Sequence, residues 1–179
     1  MNQENGGPSS LSAYDLSVGL FVRGLANLKG ILTKGERHVA ADGCSEAALI
    51  DAQLAADMNN LGVQVHWAAE GAKLAIARLL GVAAPVPSAN AASSLAELKQ
   101  RIDVAIAYLS SIPPRDLEAG LARTIDMPHG GATQTFSGGR FLLEFAIPNF
   151  YFHMTTAYGI LRHRGVALTK GDFLGSGTR

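Results

Sequence analysis

Three long segments of this chain carry apolar residues at alternating spacings of four and three, the pattern of one face of an α-helix. In the first segment, from about residue 13 to about residue 41, these positions are Tyr14, Val18, Phe21, Leu25, Leu28 and Leu32. In the second, from about residue 57 to residue 80, they are Met58, Leu61, Val65, Ala68, Ala72, Ala75 and Leu79. In the third, which follows Ser94, they are Leu95, Leu98, Ile102, Ala105, Leu109 and Ile112. The stripes predict three amphipathic helices that bury these faces against one another.

Start and stop signals bound these helices. Ser12 with Asp15, and Ser94 with Glu97, have the spacing of capping boxes, in which a hydroxyl and a carboxylate bond to free backbone N–H groups. Gly81 is placed to end the second helix, because glycine readily adopts the left-handed conformation that follows a helix. The predicted helices therefore have defined ends as well as apolar faces.

A fourth apolar stretch runs from about residue 140 to residue 161, and Pro148 interrupts it. Because proline has no N–H to donate to the preceding turn, we expect a kink or a new helix start near Ile147. Before this stretch, the turn sequence 128–131 (Pro-His-Gly-Gly) separates two short threonine-containing runs and predicts a β-hairpin. The predicted fold class is all-α: a four-helix bundle plus a small β-hairpin before the last helix. The longer links, between helices two and three and between three and four, allow a crossover connection.

The composition excludes several classes of function. The 179 residues carry 15 Lys+Arg and 15 Asp+Glu, so the chain lacks the excess positive charge that nucleic-acid binding requires. No stretch reaches the roughly 18 uninterrupted apolar residues of a membrane span, and the single cysteine, Cys44, allows no intrachain disulfide. We therefore expect a cytoplasmic protein that binds neither nucleic acid nor a membrane. Its domains should be a disordered lead over 1–10, a single bundle over 11–175 and a tail over 176–179.

Several motifs resemble those of a known protein family. They are the segment 148–158 (PNFYFHMTTAY), its continuation 160–163 (ILRH), the segment 170–175 (KGDFLG) and the spaced pattern Asp51-x-x-Leu54-x-x-Asp57-Met58. Over about residues 11–175 the chain resembles the domain-of-unknown-function 1993 family, a branch of the DinB/YfiT-like metalloenzyme superfamily. The resemblance implies a DinB-like bundle with a crossover connection, a homodimer and, as in many relatives, a divalent metal (Zn, Ni or Mn) at one end. Some relatives are thiol transferases, but the resemblance carries no settled activity for this branch.

The DinB-type metal site consists of one histidine on the second helix and a His-x-x-x-His pair on the fourth. Residues four apart share a helix face, so that pair and a facing imidazole can hold a metal with open positions. On this resemblance the ligands here are His66 and His153, with Asp57 as an oxygen donor, but Ala157 stands where the third histidine would be. The alternative for His66 is an exposed ion pair with Glu70, four residues further along the same helix.

His153 is the strongest single candidate for function. It shares a helical line with Asn149 and stands among Phe and Met residues, so burial should lower its pKa and keep the imidazole neutral. With Asp57, Gln64 and Tyr158 it could line a polar cleft at the bundle end. The alternatives are a core histidine bonded to a backbone carbonyl or tyrosine hydroxyl, and an Asp57 that favours the start of the second helix.

Three functions are consistent with these residues. The first is a DinB-like homodimer that binds a small-molecule ligand in an end cleft around His153, with the aromatic run 150–152 lining the cleft or the dimer interface. The second is a divalent-metal-dependent enzyme, such as a thiol transferase, in which nitrogens of His66 and His153 lie within roughly 4–5 Å of each other. The third is a purely structural interaction module.

Overall fold

The predicted apolar stripes lie on four long helices. The computed structural model describes residues 11–42, 44–89 and 92–175, so the predicted lead over 1–10 and tail over 176–179 lie outside the described residues. In chain order the elements are α1 (Leu20–Asp42), α2 (Glu46–Ile50), α3 (Leu61–Leu80), α4 (Leu95–Ser110), α5 (Arg115–Glu118), β1 (Thr124–His129), β2 (Ala132–Ser137), α6 (Gly138–Arg140), α7 (Ile147–His163) and α8 (Lys170–Leu174). This mostly helical architecture, with one small antiparallel hairpin before the last long helix, confirms the predicted fold class.

The stripes of the first three helices form one core with α7. The fully buried stripe positions are Val18, Phe21, Leu25, Leu28, Leu32, Leu61, Val65, Ala68, Ala72, Leu95, Leu98, Ile102, Ala105 and Leu109. α1 and α3 each pack against both α4 and α7, so they occupy opposite corners of the bundle. The links from α1 to α3 and from α4 to α7 therefore cross the bundle, whereas the long link from α3 to α4 joins neighbours.

The start of the first helix follows the predicted capping box. The Ser12 hydroxyl accepts a hydrogen bond from the backbone N–H of Asp15 (3.1 Å), and the Asp15 carboxylate accepts one from the backbone N–H of Ser12 (3.1 Å). A π-helical turn (Asp15–Gly19) then leads into α1. By length and composition the helix Asp15–Ala41 is long and apolar enough to cross a membrane. Of its apolar 18-residue stretch, 44% is buried inside the bundle. The core helix of a globular domain and a signal sequence near the N-terminus both meet these criteria.

α3 begins four residues later than predicted. Its N-cap is Asn60, whose side chain accepts a hydrogen bond from the N–H of Val63 at 2.9 Å. Asp57 is exposed in the turn that precedes this cap. The prediction that the helix starts at Asp57 is therefore wrong, because an amide oxygen nearer the first apolar residue supplies the cap. The predicted end is confirmed: Gly81 takes a left-handed conformation there.

The hairpin is held against the bundle at two glycines. A Cβ atom on Gly138 would collide with the carbonyl oxygen of Gly120, and one on Gly120 would lie 2.6 Å from the carbonyl oxygen of Leu79 at the end of α3. The N–H of Gly138 also donates to the carbonyl of Arg123 at 2.7 Å. This close backbone packing brings Met127 of β1 onto the end of the α3–α7 seam, where it lines a cleft.

The helix that carries His153 starts at a disrupted turn. α6 continues through a π-helical segment (Phe141–Ala146) into α7, with Pro148 at the first turn of α7. Proline cannot donate to the carbonyl four residues earlier, and a wider π turn accommodates the missing bond. The predicted break near Ile147 is confirmed. α7 then packs along α3, and Asn149 and His153 line the cleft at this seam.

Candidate functional site

The centre of the candidate site is a hydrogen bond between α3 and α7. Nδ1 of His153 lies 2.8 Å from Oε1 of Gln64, which is buried in the bundle. The sequence predicted both residues as cleft candidates without predicting that they contact each other. Their contact joins two helices that are far apart in the chain, so it depends on how α3 and α7 pack.

A second hydrogen bond determines which nitrogen of the imidazole carries the proton. Nε2 of Gln64 donates to the backbone carbonyl of Asn59 at 3.2 Å. A carbonyl can only accept, so the amide nitrogen must face Asn59 and the amide oxygen must face His153. Nδ1 of His153 therefore carries the proton and donates it to Gln64. Nε2 of His153 is left with a free lone pair, and none of the residues in the described ranges bonds to it.

Burial sets the charge of this imidazole. Removal of the ring from water disfavours its cationic form, which lowers the pKa of His153 below its ordinary value. No carboxylate contributes to the shift, and the amide of Gln64 is neutral. At neutral pH, His153 is therefore an uncharged hydrogen-bond acceptor and a base, as the sequence predicted.

The site lies in a cleft of about 380 Å³ along the α3–α7 seam. The cleft is lined by Asn59, Trp67, Gly71, Leu74, Ala75, Arg78, Met127, Phe141, Phe145, Ala146, Asn149 and His153. Aromatic and aliphatic groups form most of the wall, and Phe141 stacks on Phe145 with ring centroids 5.8 Å apart. A largely apolar wall with a few polar groups is the usual composition of a small-molecule site.

A wider groove of about 600 Å³ lies elsewhere, between α1 and α8. Lys34 and Asp172, which line it, already pair with each other at 2.6 Å. Ionic groups that neutralise each other give a ligand less to bind than an imidazole with a free lone pair. The smaller cleft is for this reason the stronger candidate site.

The other two predicted cleft residues lie elsewhere. Asp57 is exposed in the turn before α3. Tyr158 is half-buried on the α8 side of α7, where its ring meets that of Phe173 at a centroid distance of 5.7 Å. The structure thus brings Gln64 into contact with His153. Of the four predicted cleft residues, only His153 belongs to the lining of this cleft: Gln64 is buried behind it, and Asp57 and Tyr158 lie elsewhere.

Four lining residues of α3 were not predicted from the sequence. Trp67, Gly71, Leu74 and Arg78 follow one helical line at spacings of four, three and four, next to the buried stripe. That spacing was a usable signal, because a second line beside the core stripe marks the edge of a helix–helix seam. Asn149, four residues before His153, also lines the cleft and shares its helix face.

His66 occupies a different face of α3. It is two residues after Gln64, which places the two side chains about 200° apart around the helix axis. The prediction of an exposed His66–Glu70 pair is wrong: both residues are buried, and Ser88, from the segment after α3, donates to Glu70 at 2.9 Å. Glu70 pairs with the buried Lys73 at 2.8 Å. Burial lowers the pKa of His66, with the charge of Glu70 opposing the shift.

The donor set of the cleft does not fit the metal site that the resemblance implies. The position four residues after His153 is Ala157, which is buried and has no donor atom. His66 faces another side of α3, so it cannot join His153 on one ion. Within 11–42, 44–89 and 92–175 there is no group of three or more His, Cys, Asp or Glu side chains that could hold a metal. One imidazole with neutral amides is a weak set for a divalent cation.

Comparison with known proteins agrees with this architecture. A family model described as a domain of unknown function, DUF1993, matches residues 13–174. The chain belongs to the DUF1993 family. A solved structure titled as a DinB family member protein from Shewanella denitrificans is 39% identical to this DUF1993 protein and covers 93% of each chain, with a TM-score of 0.86. This DUF1993 bundle is therefore DinB-like, as its motifs predicted. No curated protein matches the sequence.

Proposed function

We propose that this DUF1993 protein binds a small organic ligand in the cleft between α3 and α7, with Nε2 of His153 accepting a hydrogen bond from the ligand. The observation that carries the proposal is the chain of hydrogen bonds from Asn59 through Gln64 to His153. That chain holds the ring in one orientation and one tautomer before any ligand arrives. A pre-organised acceptor binds with less loss of conformational entropy than a mobile one.

Gly71 keeps the cleft open. It lies within α3, where glycine costs about 0.5–1 kcal/mol relative to alanine. No close backbone approach requires it, because a Cβ atom there would meet only Nδ2 of Asn149, at an ordinary 3.5 Å. The missing side chain instead leaves space between Trp67 and Leu74, directly in the cleft lining. A residue that costs helix stability and maintains a cavity supports a binding role.

Binding fits the cleft better than catalysis does. Its lining, within the described part of the chain, contains no serine, threonine, cysteine, lysine or carboxylate that could act as a nucleophile or as a second acid–base group. His153 alone can orient a ligand or take a proton from it, but no partner completes a catalytic set. The alternative of a metal-dependent thiol transferase requires ligands that this cleft does not assemble.

The homodimer is the second part of the proposal. Large apolar side chains of α7 and of the π-helical segment before it remain exposed, Phe152 at 56% and Leu143 at 63%. A second copy that covered such surface would gain hydrophobic free energy. Light scattering on purified protein tests this part: a mass twice that of the 18.7 kDa chain is expected, and a monomer at micromolar concentration would remove it.

The chain contains its own reporter for ligand binding. Trp67 is the single tryptophan, is 37% exposed and lines the cleft. A library of small organic molecules can therefore be screened by the change in tryptophan fluorescence. We expect compounds that change it to lose at least tenfold in affinity in His153→Ala and to keep their affinity in Tyr158→Phe. Compounds that bind equally to wild type and His153→Ala would contradict the proposed role of His153.

A further inference from the structure

The cleft has a cationic end as well as an imidazole end. Arg78 lines it eleven residues after Trp67 on α3, which at 1.5 Å per residue separates them by about 16 Å along the helix axis. His153, bonded to Gln64, lies at the Trp67 end. Between the two ends the wall consists of Gly71, Leu74, Ala75, Phe145, Ala146 and the amide of Asn149, which lies beside Gly71. The cleft is therefore elongated, with a positive charge at one end and a mostly apolar middle that contains one amide.

Within the part of the chain that the structure describes, Arg78 has no counter-ion. The guanidinium is half-buried, and no carboxylate among residues 11–42, 44–89 and 92–175 lies within ion-pair distance of it. The half-buried Arg101 differs, because it pairs with Glu97. A partly desolvated cation without a partner loses hydration that a bound anion would restore. Arg78 lies in the last turn of α3, where the helix dipole favours a cation. That position does not explain why the Arg78 side chain lines the cleft.

We propose that the ligand is an elongated amphipathic carboxylate, such as a medium-chain fatty acid or its ω-hydroxy derivative. The carboxylate would bind Arg78 through two parallel N–H···O bonds, the geometry for which a guanidinium is suited. The chain would lie along the apolar wall past Gly71. A terminal hydroxyl would donate to Nε2 of His153. This inference rests on the proposed binding role of the cleft and adds the chemical class of the ligand.

Fluorescence titration with dodecanoate, below its critical micelle concentration, tests the charge requirement. We expect the tryptophan signal to saturate, and the affinity to fall at least tenfold in Arg78→Gln and much less in Arg78→Lys. Arg23→Gln is the control, because Arg23 is an exposed arginine on α1, outside the lining of the cleft. Dodecanol, which has the same chain without the charge, should bind wild type and Arg78→Gln alike. Equal dodecanoate affinity in wild type and Arg78→Gln would overturn the inference.

Chain length and the hydroxyl test the remaining contacts. From octanoate through decanoate to dodecanoate we expect the affinity to rise about fourfold per added methylene, the value for a fully buried CH₂. ω-Hydroxydodecanoate should bind more tightly than dodecanoate to wild type but equally to His153→Ala. Gly71→Leu should abolish binding of all these probes. No gain with chain length would show that the apolar wall is not the contact surface and would contradict the inference.

The outcomes separate this inference from the proposed function. If the carboxylates fail to bind while uncharged library compounds change Trp67 fluorescence in a His153-dependent way, the ligand class is wrong and the binding cleft stands. If neither class of compound binds, both proposals fail.

Discussion

Gln64 and His153 are 89 positions apart in the sequence and share a 2.8 Å hydrogen bond across the α3–α7 seam. The carbonyl of Asn59 holds the Gln64 amide in the orientation that makes His153 the donor in this bond. The consequence is a neutral imidazole whose other nitrogen is a free acceptor beside an apolar cleft. The functional proposals for this DUF1993 protein depend on that arrangement.

Replacing Gln64 with glutamate should raise the pKa of His153. A carboxylate that accepts from Nδ1 stabilises the imidazolium, and an opposite charge at this distance shifts a pKa by about one to three pH units. NMR titration of the His153 ring in wild type and Gln64→Glu measures the change. Tyr158→Phe, on the α8 side of the same helix, should leave the titration unchanged. An unshifted pKa in Gln64→Glu would show that the two side chains do not pair in solution.

Acid should destabilise the fold through two histidines, the buried His66 and the half-buried His153. Burial lowers the pKa values of His66 and His153 in the folded state below the value of about 6.5 in the unfolded chain, so the unfolded chain binds protons more readily. The free energy of unfolding should therefore have its full value above about pH 6.5 and should decrease as the pH falls below 6.5. Urea denaturation between pH 5 and 8 checks this. His153→Gln should weaken the decrease in the free energy of unfolding as the pH falls.

Substitution of Gly71 by alanine should stabilise the protein. The new Cβ atom meets only an ordinary 3.5 Å contact with Asn149, and the unfolded chain loses conformational freedom. We expect a gain of about 0.5–1 kcal/mol in the free energy of unfolding, measured by denaturant titration. The same variant should bind cleft ligands more weakly than wild type. A gain in stability without any loss of ligand affinity would argue against the role of Gly71 in keeping the cleft open.

The Gly120–Gly138 contact should be intolerant of any side chain. Gly138→Ala places a methyl group against the carbonyl oxygen of Gly120, and backbone atoms cannot rotate away as a side chain can. We expect a loss of about 1–3 kcal/mol or more in the free energy of unfolding. Gly139→Ala is the matched control, since its Cβ atom would lie 3.7 Å from the nearest carbonyl oxygen, that of Leu121. Equal stability of the two variants would contradict the described docking of the hairpin.

Elemental analysis tests the metal alternative directly. Because the cleft offers one imidazole and neutral amides, we expect no stoichiometric zinc, nickel or manganese in the purified protein. His153→Ala is the control, since a metal held at this site would be lost from that variant. A stoichiometric metal in wild type that is absent from His153→Ala would revive the enzyme hypothesis and contradict the ligand-binding proposal.

Features that depend on near neighbours in the chain were predictable. The alternating spacing of four and three identified the buried faces of α1, α3 and α4, and the break near Ile147 followed from the chemistry of Pro148. The start of α3 was misplaced because both Asp57 and Asn60 can cap a helix, and only the local backbone decides between them. His66 was expected to be exposed because it lies one residue past the core stripe. The segment after α3 packs over this side of the helix, and the apolar pattern of α3 does not indicate that contact.

The long helices and the hairpin follow from periodicity, caps and turn residues, which act within a few positions of the chain, and the family likeness follows from the motifs that resemble it. That Gln64 and His153 contact each other, that Tyr158 lies elsewhere, and that Trp67, Gly71 and Arg78 line the same cleft as His153 is visible only in the folded protein. A helix is predictable from its own apolar pattern, whereas contacts between helices depend on their relative rotation and on how their side chains pack.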